Sequence, residues 1–186
     1  MYIVPECYVA TNFVETILKT GKAPTKGVNH QKGCNMVAKT IKDTLGDSFA
    51  IGVIDDDKRK VAMLGECIEI CATEHIRVLK QNDKPHYLFM IRPAMDRFIL
   101  DAAKEQGVNP ESFGYPTELK KFTKRTKDID TKNDPNMTKL VKAICQNPEI
   151  AALQSALLYL KTTKYDADTD IVSEFFAELQ HRQFPL

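Results

Sequence analysis

"FAIGVIDDDK", residues 49–58, is the stretch on which the fold turns: an unbroken apolar run, Phe49 to Ile54, gives out abruptly in Asp55, Asp56 and Asp57. Continuous apolarity over one strand's length suits a strand covered on both faces, as in a parallel sheet. Adjacent carboxylates at its end are costly, because two unit charges about 4 Å apart repel by ~1 kcal/mol in water and ~4 kcal/mol at an effective dielectric near 20. The triplet is therefore either a solvated turn tip or a cation site. As a turn tip, residues 49–66 are two strands joined by DDDKRK, with Lys58, Arg59 and Lys60 offsetting the acids.

Working toward the N-terminus, Met36, Val37, Thr40, Ile41 and Leu45 predict a helix ended by Gly46, preceded by a loop rich in Gly, Pro and Lys from Gly21 to Gly33. Before that loop, Val9, Phe13 and Ile17 with Val14 and Leu18 predict a helix stopped by Gly21, and YIVP (2–5) a short strand. Toward the C-terminus, IRVL (76–79) and HYLFMI (86–91) predict strands, and Pro93 opens a helix carrying Phe98, Ile99, Ala102 and Ala103, stopped by Gly107. This alternation predicts an α/β fold, a mainly parallel sheet flanked by crossover helices, over residues 1–107.

Residues 108–135 change character. Gly114, Pro116, Asp134 and Pro135 punctuate the strongly basic ELKKFTKRTK (118–127), which reads as a basic linker, either a solvated helix face or a surface that neutralises a few phosphates. From 136 to 186 the 3.6-residue spacing of Leu140, Ile144, Ile150, Leu153, Leu157, Ile171, Phe175 and Leu179 predicts a helical C-terminal extension, a candidate for self-association or partner contact.

Composition narrows the partners. Across 186 residues, Lys and Arg total 26 against 25 Asp and Glu, so the net charge of +1 draws the chain neither to nucleic acid nor to membrane, and any basic surface is local. No secretory leader and no run of about 18 apolar residues is evident, which predicts a cytoplasmic protein without a membrane partner. Five scattered cysteines fit reduced thiols. Cys67, Cys71 and His75 fall on one face if 66–76 is helical, either as part of a zinc site or as a buried apolar stripe. Neither GxxxxGK[ST] nor GxGxxG occurs, so a nucleoside-triphosphatase loop and a dinucleotide fold have no support.

In α/β folds ligands collect outside the carboxyl ends of the strands. Asp55 and Asp57 lie at one such end and Glu6 at another; if those strands are neighbours, the three form a hard-oxygen set suited to Mg²⁺ or Mn²⁺. Glu6 in "IVPECYVATNFVETIL", with "IGVIDDDK" (51–58) about fifty residues later, resembles the topoisomerase–primase (Toprim) domain. Within it, the small Toprim-like proteins related to the overcoming-lysogenization-defect nucleases are similar in "NHQKGCNMVAKTIK" (29–42) and "RPAMDRFIL" (92–100). Cys7 and Ala10 stand where that family usually has Gly and often a further acid.

The resemblance covers residues 1–107 and implies a Mg²⁺-dependent nuclease or related phosphotransferase acting on nucleic acid, in defence against mobile DNA. It implies that Asp55 and Asp57 hold metal, that Glu6 ligates metal or serves as general acid/base, that Asp96 adds a ligand, and that His30 and Lys32 meet the phosphate. Against it stand plainer explanations. Glu6 and Asp96 each suit a helix N-terminus, a placement worth about 0.3–1 kcal/mol, and His30 suits an exposed loop. The alternative function is a non-catalytic α/β binding protein with a degenerate metal site.

Overall fold

The computed structural model describes residues 2–56 and 62–180. One five-stranded sheet has the order β1-β2-β5-β4-β3, formed by β1 (Tyr2–Pro5), β2 (Ala50–Asp55), β3 (Cys67–Ala72), β4 (Ile76–Gln81) and β5 (His86–Ile91). β1, β2 and β5 pair in parallel, while β4 runs antiparallel to both β5 and β3. The sheet is thus mixed, and its parallel part is the half that carries Glu6 and Asp55.

The hairpin reading of 49–66 does not hold. β2 is flanked by β1 and β5, and the first described residues after its acidic end, Ala62–Glu66, form a 3-10 turn leading into β3 at the far edge. The connection from β2 to its parallel neighbour β5 runs through the β3–β4 hairpin rather than through a crossover helix.

Helix α1 (Tyr8–Thr20) returns the chain from β1, and α2 (Cys34–Lys39) runs on into a π-helical segment, Thr40–Leu45. They cover opposite faces. Ile3, Ile51, Val53, Tyr87 and Phe89 point to the face packed by α1, whereas Val4, Ala50, Ile54, Leu88 and Met90 point to the face packed by Val37 and Ile41. Two-sided burial explains why β2 and β5 lack the polar alternation of a half-exposed strand.

Gly52 marks the tightest contact on the second face. A Cβ there would lie 2.5 Å from Leu88 Cδ2, 3.1 Å from Ile41 Cδ1 and 3.2 Å from Val37 Cγ1. Gly52→Val is expected to lower unfolding stability by about 1–3 kcal/mol through overpacking, measured by denaturant titration.

The remaining helices are α3 (Met95–Glu105), α4 (Leu119–Thr126), α5 (Pro135–Ile144), α6 (Pro148–Thr163), α7 (Thr169–Glu174) and α8 (Ala177–Gln180). α3 begins two residues beyond Pro93, after an extended Ala94. Residues 108–135, expected as a linker, are folded against the body: Tyr115, Phe122 and Thr131 are buried, Tyr115 and Phe122 rings meet at 5.5 Å, and Arg125 lies over Tyr115 while bonding Asp134 at 3.1 Å.

Leu140, Ile144, Ile150, Leu153 and Leu157 join the same apolar cluster as the α1 face of the sheet. Those faces of α5 and α6, expected to serve self-association, are thus occupied within the chain. Among the described residues, no helix is long and apolar enough to cross a membrane.

Candidate active-site cleft

Glu6 and Asp55 meet because their strands are neighbours. The β1–β2 ladder pairs Pro5 with Val53, and the Glu6 N–H continues it to the Val53 carbonyl at 3.0 Å. Beyond the ladder the Glu6 side chain turns across, and its Oε2 accepts the Asp55 N–H at 2.8 Å. Asp55 Oδ1 in turn accepts the N–H of Met95, the first residue of α3, at 2.9 Å. Ala94 supplies no side-chain cap, so a carboxylate from the adjacent strand end satisfies one of the donors that a helix start leaves unpaired.

The acidic triplet divides. Asp55 faces the cleft with Glu6, whereas Asp56 turns to the neighbouring shallow groove beside His75 and pairs with Arg77 at 3.2 Å. Asp57 lies outside the described residues.

The cleft has a volume of about 660 Å³, and its lining brings together Glu6, Asp55, Asp96, His30 and Lys32, every described residue to which the resemblance gives a role. Asp96, in the first turn of α3, accepts the Thr126 hydroxyl at 2.6 Å and so ties α3 to α4. His30 and Lys32 arrive on a loop laid along the edge of β1: Asn29, Gln31 and Gly33 donate backbone N–H groups to the carbonyls of Ile3, Pro5 and Glu6 at 2.8, 2.9 and 3.1 Å. Gly33 closes that run at φ 89°, a backbone that favours glycine.

His30 stacks on Tyr8 with ring centroids 4.3 Å apart, and its Nδ1 lies 3.2 Å from the Thr11 hydroxyl. Burial, together with Lys132 and Lys32, pushes its pKa down, so the ring is neutral at pH 7. Cys7, beside Glu6 at the start of α1, is driven the other way: burial and the charges of Asp55, Asp96 and Glu6 raise its pKa, keeping it a protonated thiol. A free nucleophilic thiolate is disfavoured at that position.

Sequence reasoning missed Cys7, Tyr8, Arg97 and Thr123 as lining residues, whereas Lys127 belongs to the basic run 118–127 that it singled out.

The Cys67, Cys71 and His75 set does not assemble. Residues 67–72 are strand, not helix, and a register shift between Glu69 and Cys71 breaks the strand's two-residue alternation. Cys71 packs with the α1-side cluster and Cys67 with the other. Burial pushes their thiols up to about 12 and about 11 respectively. Among the described residues, no group of three or more His, Cys, Asp or Glu side chains is arranged to hold a metal ion.

Comparisons with protein-family models, with curated proteins and with solved structures find no match for this chain.

Proposed function

We propose that the cleft is a Mg²⁺- or Mn²⁺-dependent site for phosphodiester hydrolysis or phosphoryl transfer on nucleic acid, the activity that the Toprim resemblance implies. One observation carries the reading: the 2.8 Å bond from the Asp55 N–H to Glu6 places two acids from adjacent parallel strand ends on the wall of one cleft. Lys32, Arg97 and Lys127 line the same space.

The donors fit such an ion in kind. Mg²⁺ is commonly held by one or two carboxylates, with water and substrate phosphate completing its shell, and here Glu6 and Asp55 would hold it, joined by Asp57 as the resemblance implies. A cation so held would offset phosphate charge and lower the pKa of a bound water. The chain's own groups do the rest. The Met95 N–H fixes the orientation of Asp55, Lys32 and Lys127 attract the phosphate, and Glu6 or neutral His30 accepts the proton.

Calorimetric Mn²⁺ and Mg²⁺ titration of wild type, Glu6→Gln and Asp55→Asn tests this. Either substitution is expected to weaken specific binding at least about tenfold and to abolish metal-dependent cleavage of nucleic acid. Asp55→Asn keeps an oxygen for the Met95 N–H, so loss of binding would not reflect loss of fold. Unchanged metal affinity in both variants overturns the assignment.

A second reading, a non-catalytic binding protein, is favoured by the backbone roles of both acids: Glu6 holds the end of β2 and Asp55 holds the start of α3. On that reading neither variant changes metal affinity.

A further inference from the structure

We infer that α4 carries a docking track for single-stranded nucleic acid that leads into the cleft. The track rests on the proposed function only for what happens at Glu6 and Asp55; docking itself needs neither metal nor chemistry. The inner face of α4 is anchored, with Phe122 buried against Tyr115 and Thr126 bonded to Asp96. Leu119, Thr123, Thr126 and Lys127 line the cleft.

Lys120 and Lys124 stand beside that lining and, with Lys127 in it, fall at i, i+4 and i+7, all exposed. That spacing strings three ammonium groups along about 10 Å of helix axis. Their neighbours are neutralised: Lys121 pairs with Glu118 at 2.7 Å, and Arg125 with Asp134 at 3.1 Å. Among the described residues, none of the three lysines has an ion pair. Like charges one helical turn apart repel, and in a chain of net charge +1 their segregation is local rather than a general excess of base. A polyanion removes the repulsion.

The inner end of the stripe decides which polyanion. Lys127 opens onto a cleft lined by the stacked Tyr8 and His30 rings, and Lys132 lies near enough to His30 to depress its pKa. A cleft of about 660 Å³ falls in the range that takes a single small ligand, which is room for an unpaired nucleotide. A basic path beside aromatic faces is the arrangement by which proteins hold single strands, phosphates on lysines and bases on rings. An acidic peptide would satisfy the stripe but has no use for the rings.

The test is fluorescence anisotropy of a labelled oligothymidine of about a dozen nucleotides, titrated at several salt concentrations in EDTA. Wild type is compared with the Lys120→Gln/Lys124→Gln/Lys127→Gln variant, whose altered side chains are surface groups, with circular dichroism and Mn²⁺ calorimetry beside it. Wild type is expected to bind. In the triple variant affinity should fall about tenfold or more, and the slope of log K against log salt should become shallower by about 2, at ~0.7 per lost phosphate contact. Its fold should not change.

Wild-type affinity and slope in the triple variant overturn the track. So does a duplex that binds as tightly as the single strand, or polyglutamate that displaces the oligonucleotide as well as unlabelled strand does. Absence of Mn²⁺ binding by wild type, with the salt-slope difference intact, removes the metal site alone and leaves the track standing.

Discussion

Glu149→Ala is expected to lower unfolding stability by about 3–5 kcal/mol, the scale set by removing one member of a buried charge pair. Glu149, in the first turn of α6, reaches the β3–β4 turn. Its Oε2 lies 2.6 Å from His75 Nδ1, and its Oε1 accepts the His75 N–H at 3.0 Å and the Thr73 hydroxyl. The opposite ring nitrogen of His75 lies 3.4 Å from Asp101 Oδ2, which also accepts from Arg97 at 2.6 Å. His75 and Glu149 side chains are 8% and 13% exposed, so little water would compensate for the loss.

The bond to Glu149 raises the His75 pKa against the opposing effect of burial. Burial works to raise that of Glu149, but the bonds from His75 and Thr73 outweigh it, and the net direction is down. The stabilisation from Glu149 is complete above the ordinary carboxylate value of about 4.3 and is lost as pH falls through its depressed folded value. That from His75 is complete below about 6.5 and is lost as pH rises through its raised folded value. The difference between wild type and Glu149→Ala should therefore peak between about pH 4.3 and 6.5 and shrink on both sides. Denaturant titrations across that range check it; a difference that grows steadily toward alkaline pH would contradict the charged pair.

Asn12→Leu is expected to cost about 2–3 kcal/mol, near 5–10 °C in Tm for a chain of this size. Asn12 is 2% exposed on α1. Its Nδ2 donates toward the carbonyls of Thr131, Lys132 and Asp134 at 3.0, 3.2 and 3.2 Å, and its Oδ1 accepts the hydroxyls of Thr16 and Thr138 at 3.2 and 3.3 Å. One amide thus fastens the turn before α5 to the first helix of the sheet. Asn12→Asp tests the donor role directly. Nearly unchanged in volume, it points an acceptor at three carbonyls, and calorimetric melting should show a loss at least as large as for Leu.

Much of the sheet was legible, because β1, β2 and β5 are apolar enough to declare burial on both faces and α1 and α3 carry clean helical periodicity. β3 was not. CIEICA (67–72) alternates weakly, and its cysteines sit at a helical interval that a bulge, invisible in composition, converts to opposite faces of a strand. The hairpin reading failed for a different reason. Local apolarity cannot say which strand will lie beside β2, and the place is taken by β5, about thirty residues downstream.

The fate of 108–135 also turned on long-range packing. Tyr115 and Phe122 stand in a stretch punctuated by Gly and Pro and rich in charge, and only the core they enter shows that the stretch is not a tether. At the cleft, the meeting of Glu6 and Asp55 followed from two strand ends once the strands were adjacent. The diversion of Asp56 depended on Arg77, and the protonation of Cys7 on its burial and the carboxylates around it, neither of which a linear motif encodes.

The loop that brings His30 and Lys32 to the cleft also seals the outer margin of β1, through the bonds from Asn29, Gln31 and Gly33 and a bridge between Ile3 and Val28. An unguarded strand margin is a template for pairing with other chains. On the proposed function, edge protection and ligand choice fall to the same few residues. A change that re-aims Lys32 by shifting this loop would also uncover the sheet and invite pairing with other chains.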